Sequence, residues 1–202
     1  PDKWNFGLFG GMQYSHDKAS PWIYWARRPK KLETKIKEGI KSYEDRSIES
    51  IFLGKIENSV QQTNRTSDNW FGVIEEFSLP TQLGDSVNWA YTQDEYLNKI
   101  SHSKFGLCLA GYGPKCNREI EYLGLGIVPI VTPQVDVSYY NPLKEGVHYL
   151  SVQTAEEIPD LVQSISKKDW TDISNAGRDW YEKNCSRKGS FETTKNIINS
   201  HG

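Results

Sequence analysis

Cysteine is scarce: the 202 residues contain only Cys108, Cys116 and Cys185. Their spacing matches no metal-ligand pattern and three thiols cannot close an even disulfide set, so neither a zinc module nor a disulfide scaffold organises this chain, and a reducing compartment is expected. Also missing is any apolar run of the ~18 residues that a membrane-spanning helix needs, and so is the layout of a secretory leader. The expectation is a soluble, cytoplasmic chain with no membrane span. Charge of one sign is not in excess either. Lys+Arg 24 stand against Asp+Glu 26, a net charge of -2, which gives no electrostatic footprint for nucleic acid or a membrane surface. No repeat, low-complexity tract or long charge run divides the sequence. A chain of this length can bury one sizeable core, so one domain over residues 1–202 is expected.

Aromatic residues are plentiful at 12%, with seven Trp. Most are expected in the core. The stretch the rest serves is 104–131, KFGLCLAGYGPKCNREIEYLGLGIVPIV. Phe105, Leu107 and Leu109 alternate as in a strand, Gly111-Tyr112-Gly113-Pro114 makes a tight turn, helical spacing runs to Gly126, and a second apolar run follows. This is a βαβ unit. Gly111 and Gly113 permit close backbone approach or positive φ, and Pro114 suits the first helical position. The turn is then expected to aim N–H groups at an anion above the strand ends. Arg118 and Glu121, at i and i+3, add a cation for a phosphate and a carboxylate for vicinal hydroxyls. The alternative for Glu121 is a helix-surface carboxylate paired with Arg118. Cys108 reads as packing, whereas Cys116 in the first helical turn is expected to have a lowered pKa, with no base placed to activate it.

Elsewhere the chain supplies the frame of an α/β fold. Residues 4–9 read as a first strand and the aromatic loop 12–25, with His16 and Asp17, as a binding wall or a clasp over the sheet. Pro29 opens a helix carrying Leu32, Ile36, Ile40 and Tyr43 on one stripe. Residues 48–53 form the next strand, closed by Gly54 and followed by a polar loop, 55–68. Strands are expected near 73–74 and 87–90. Thr92-Gln-Asp-Glu95 is a capping box with Tyr91 and Tyr96 as staple, starting a helix over 93–102. Asp136 lies in the loop 132–142, which leaves a strand's carboxyl end where open parallel sheets bind ligands. A short strand over 147–152 contains His148, read as structural. Helices with Ile158, Leu161, Val162 and Ile165, then Ile173, Ala176, Trp180 and Tyr181, then residues 191–198, complete the chain.

Gly111-Tyr112-Gly113-Pro114, Arg118 and the run from Glu121 through Gly126 to Pro129 resemble the donor-binding, C-terminal domain of GT-B glycosyltransferases, most closely the exostosin-like group. The likeness covers about 28 residues. It implies a Rossmann-like open, mostly parallel sheet with helices on both faces. It also implies a transferase moving a hexosyl or deoxyhexosyl group from a nucleotide-diphosphate sugar, UDP-type favoured, to a glycan hydroxyl. By this resemblance Gly111, Tyr112, Gly113 and Arg118 face the diphosphate and Glu121 the ribose. A basic residue after an early strand joins them, Arg65 by analogy of position, with Lys55 in the same loop.

The chain is too short for two Rossmann-like halves, so further domains of a longer polypeptide are expected partners beside nucleotide sugar and carbohydrate acceptor. No Asp-x-Asp occurs, which favours a metal-independent reaction with no cofactor beyond the donor substrate. Inversion at the anomeric carbon asks for a general base, and Asp17, His16 and Asp136 are the loop candidates. Two rivals remain. A non-catalytic nucleotide-sugar binding module would keep Gly111, Gly113 and Glu121 without an acceptor loop. An oxidoreductase would need Gly-x-Gly-x-x-Gly and an acid at the next strand's end, which this chain lacks.

Overall fold

The structure is a computed structural model and describes residues 26–81 and 91–201. Among the described residues five strands form one parallel sheet in the order β2-β1-β3-β4-β5. They are β1 (Ile48–Leu53), β2 (Glu76–Ser78), β3 (Ser103–Cys108), β4 (Val128–Val131) and β5 (Leu150–Ser151). Around them lie α1 (Pro29–Lys37), α2 (Ser59–Arg65), α3 (Gln93–Ile100), α4 (Asn117–Gly124), α5 (Glu157–Ser164), α6 (Lys167–Asn184) and α7 (Arg187–His201). The sheet is Rossmann-like, with helices on both faces, as the βαβ reading implied.

Strand β3 explains why two apolar layers form. Successive side chains point to opposite faces, so Phe105 and Leu107 enter one cluster with Phe52, Val128, Ile130, Ile158 and Trp170. Cys108 enters the other, with Ile51, Leu97, Ile120, Leu123 and Tyr181. Gly106 faces this second layer because no Cβ fits there: one would stand 2.4 Å from the Tyr122 ring. Tyr122 lies flat against the strand and donates its hydroxyl to the Ile51 carbonyl at 3.3 Å. Buried Arg46 stitches the ends of elements together, donating to the carbonyls of Ser103 at 2.7 Å and Leu125 at 2.8 Å.

Several boundaries differ from those expected. Helix α1 stops at Lys37, and Gly39 at φ 118 turns the chain, so Ile40 and Tyr43 pack from a loop. The polar segment after β1 contains α2, which has no apolar stripe to reveal it; Asn58 caps it by accepting from the Gln61 N–H at 2.9 Å. The expected strand at 73–74 is replaced by a 3-10 turn, Trp70–Gly72, before β2. The expected strands at 4–9 and 87–90 lie outside the described residues. Helix α3 starts where its capping box requires, with Glu95 and Thr92 bonded both ways, and ends at Ile100. The strand expected over 147–152 shortens to β5, because residues 144–149 form a turn in which His148 Nδ1 accepts from the Lys144 N–H at 2.9 Å. Helix α7 is longer than its expected core and leaves Phe191 and Ile198 exposed.

Candidate functional site

In the order β2-β1-β3-β4-β5 the chain leaves β1 toward one edge and β3 toward the other, so neither of these two connections covers the crevice between their carboxyl ends. A cavity of about 300 Å³ opens there. Leu53 and Gly54 bring the end of β1 to it, the glycine turn brings the end of β3, and α2, α3 and α4 supply the remaining walls. All seven residues expected at a nucleotide line it: Gly111, Tyr112, Gly113, Arg118, Glu121, Arg65 and Lys55.

Two arginines dominate the inner wall. Arg118, on the first turn of α4, is 8% exposed and donates from Nη2 to the Leu53 carbonyl at 2.9 Å. Among the described residues its buried Nε and Nη1 have no hydrogen-bond partner. Arg65, at the end of α2, donates to the carbonyls of Ala110 and Lys55. Both guanidinium groups lie against the Phe52 ring, 4.3 Å from its centre for Arg118 and 5.9 Å for Arg65. Among the described residues no carboxylate stands within ion-pair distance of either. Burial, aided by the charge on Arg118, lowers the Arg65 pKa to about 10, which still leaves it charged at neutral pH. Lys55, by contrast, pairs with Glu57 at the rim.

The glycine turn works differently from its sequence reading. Neither Gly111 nor Gly113 has positive φ. The Gly111 N–H closes the turn on the Gly113 carbonyl at 3.1 Å, and the Gly111 carbonyl accepts from Asn64 Nδ2 at 3.1 Å. What the turn needs is the missing side chain, since a Cβ on Gly111 would stand 3.0 Å from both Arg65 Nη2 and Cys116 Sγ. Pro114 is not the first helical residue: α4 begins at Asn117, and the Pro114 carbonyl accepts from the Asp136 N–H at 2.8 Å. The Cys116 N–H is held by Glu119 Oε2 at 2.9 Å. Burial pushes the Cys116 thiol up to about 11, the reverse of the expected lowering. Tyr112 stands at the cavity mouth, 58% exposed.

Glu121 is not on the helix surface. It is 3% exposed, and its donors are Gln93 Nε2 at 3.2 Å, the Tyr96 hydroxyl and the Arg27 backbone N–H. Burial raises its pKa to about 7 against the pull of Tyr96 and Arg118. The surface pairing with Arg118 is therefore replaced by a buried network, because α4 is covered on every side from Arg118 to Gly124. Its neighbour Glu119, also buried, has a pKa raised by desolvation to about 7 and an Oε1 with no partner among the described residues.

Asp136 lies in the adjoining loop, away from the cavity lining. Its Oδ1 accepts from the Ser138 N–H at 2.8 Å and hydroxyl at 2.5 Å, and its Oδ2 pairs with buried Lys115 at 3.1 Å. Burial alone would raise its pKa, but the Ser138 and Lys115 contacts outweigh it and hold the carboxyl below its usual range. His16 and Asp17 lie outside the described residues. Sequence reading missed Gln93, Tyr96, Lys115 and Glu119. For Gln93 a signal existed, since the capping box fixes it as the first residue of α3.

Among the described residues no cluster of three His, Cys, Asp or Glu side chains could hold a metal ion, and no helix is long and apolar enough to cross a membrane. No family model and no curated protein matches the sequence. Among solved structures, the chain is similar to the C-terminal domain of a glycosyl transferase group 1 family protein, LpcC, from Francisella tularensis. The identity is 12% and the TM-score 0.49, over 82% of this chain and 96% of that one.

Proposed function

We propose that the chain, as one domain over residues 1–202, binds a nucleotide-diphosphate sugar, UDP-type, at the ends of β1 and β3. It transfers the hexosyl or deoxyhexosyl group to a glycan hydroxyl without a metal ion, as a step of glycan biosynthesis. One observation carries the reading: Arg65 and Arg118 share the Phe52 ring inside a cavity, with no carboxylate in ion-pair distance among the described residues. Two buried like charges are costly unless an anion completes them. A diphosphate does so, and the same pair would stabilise the charge that develops on it as leaving group. Glu121 provides a buried acceptor for a ribose hydroxyl beside it, and the glycine turn, with Tyr112 at the mouth, admits the phosphates.

A second reading, a non-catalytic nucleotide-sugar binding module or a half-site needing another domain, is supported by Asp136. Of the three base candidates it alone lies among the described residues, and both its oxygens are engaged. Titration with UDP, GDP and TDP in the presence of EDTA tests what the two readings share. A native-state ligand at about 100 times its dissociation constant adds roughly 2.7 kcal/mol of stability. No melting shift with any of the three at millimolar concentration would sink both. Release of nucleoside diphosphate from the sugar donor on adding oligosaccharide acceptors separates transferase from module.

A further inference from the structure

The network around Glu121 leaves a polar atom unaccounted for. A carboxylate offers about four acceptor sites; Gln93 Nε2 takes one at 3.2 Å, and the Tyr96 hydroxyl and the Arg27 N–H draw on the rest. This leaves little of the carboxylate for both hydroxyls of a ribose. Gln93 supplies a second acceptor. Its Nε2 is directed at Glu121 Oε1, at 3.2 Å, which fixes the amide so that its oxygen is the opposite arm of the fork. That oxygen meets no donor among the described residues, and the half-buried side chain lines the same cavity. Its base is fixed too. Gln93 follows Thr92, whose hydroxyl accepts from the Glu95 N–H while the Glu95 carboxylate takes the Thr92 N–H at 2.7 Å.

We propose that Gln93 is a hydroxyl-binding residue of this site, Gln93 Oε1 taking the 2′-hydroxyl of a ribose and Glu121 the 3′-hydroxyl, so that the first turn of α3 selects a ribonucleotide over its 2′-deoxy analogue. The inference rests on the nucleotide reading above and names a residue that sets its specificity. Only a diol presents two donors at the spacing of adjacent carbons, so a ligand lacking one hydroxyl leaves a half-buried acceptor unpaired.

The test compares UDP with 2′-deoxy-UDP, which share base and diphosphate, by calorimetric titration of the wild type, Gln93→Leu and Tyr96→Phe. The wild type is expected to prefer UDP by about 10-fold or more, the range of a hydrogen bond to a polar partner removed from water. Gln93→Leu should bring the preference to within about 2-fold of unity, whatever the loss of its donor to Glu121 costs both ligands alike. Tyr96→Phe removes a donor to Glu121 without touching the cavity acceptor, so it should move both affinities together and keep their ratio. An unchanged ratio in a folded Gln93→Leu variant, or equal weakening of both ligands, would make Gln93 a support for Glu121 only and overturn the proposal. Absence of binding of either nucleotide to the wild type would instead remove the nucleotide reading, and the inference with it.

Discussion

Arg118 Nη2 donates to the Leu53 carbonyl at 2.9 Å, which ties the first turn of α4 to the end of β1 across the cavity. Burial penalises this cation, although the neighbouring Tyr96, Tyr122, Cys116 and Glu119 outweigh that penalty and hold its pKa above the usual value. Arg118→Met keeps the stem's packing and removes that charge, while leaving the Leu53 carbonyl without its donor, a loss of about 1–3 kcal/mol. The two effects oppose each other. The apo protein should therefore melt within a few degrees of wild type, while the rise in melting temperature with UDP disappears. A variant that keeps the full nucleotide shift would show that Arg118 is structural.

Glu119 and Glu121 make stability depend on pH in a direction opposite to ordinary surface carboxylates. Burial raises both to about 7 from an ordinary 4.5, so between these values the native state binds more protons than the unfolded chain. Stability contributed by this pair is then present below about pH 4.5 and is lost as pH rises through 7. Each carboxylate's share is at most about 3 kcal/mol at 1.36 kcal/mol per pKa unit. Urea midpoints of wild type and Glu119→Gln, taken at intervals from pH 5 to 8, should diverge as pH rises, the variant gaining on the wild type. Parallel curves would mean that Glu119 is ionised throughout.

Two glycines on β3 and its turn separate fold from site. At Gly106 a methyl group would stand 2.4 Å from the ring of Tyr122, which is fully buried and bonded through its hydroxyl to the Ile51 carbonyl. Overpacking of this kind costs about 1–3 kcal/mol or more, so Gly106→Ala should lower the urea midpoint sharply. At Gly111 the neighbours are Arg65 Nη2 and Cys116 Sγ at 3.0 Å, the ends of side chains that can yield. Gly111→Ala should cost no more than about 1 kcal/mol in stability and should weaken UDP binding by displacing Arg65. Equal stability losses in the two variants would contradict the distinction.

Legibility in the sequence followed the strength of the local signal. The β3-turn-α4-β4 unit was readable because apolar alternation, two glycines and a helical stripe all agree, and β1 was readable to the residue. Helix α2 was not, because SVQQTNR has one apolar residue and that residue is exposed. Arg65 falls within a polar loop in the sequence, and its placement against Phe52 depends on helix α2. Glu121 lines the cavity with the glycine turn but is buried rather than on a helix surface, since spacing along α4 cannot show that α3 covers it. The burial that reverses the expected pKa of Cys116 is likewise a tertiary effect.

The remaining prediction concerns the general base. Under the inverting hypothesis a carboxylate or imidazole must take the acceptor proton, and basicity at neutral pH is the requirement. Asp136 meets it poorly, since Ser138 and Lys115 hold its carboxyl below the usual range. Asp136→Asn should therefore act mainly on structure: it leaves Lys115, 2% exposed, without its carboxylate and loosens the link from this loop to the glycine turn. A loss of stability on the order of 1–3 kcal/mol is expected, the partial exposure of Asp136 tempering the effect of a buried pair. Asp17→Asn keeps size and removes basicity. If Asp17 is the base, donor affinity should stay close to wild type while turnover of the nucleotide sugar with acceptor falls by roughly 10²–10⁴-fold. The two variants thus differ in what they move, Asp136→Asn the urea midpoint and Asp17→Asn the turnover number. Retained turnover in Asp17→Asn would pass the role to His16, tested by His16→Gln, and full turnover in both would favour a retaining reaction that needs no such base.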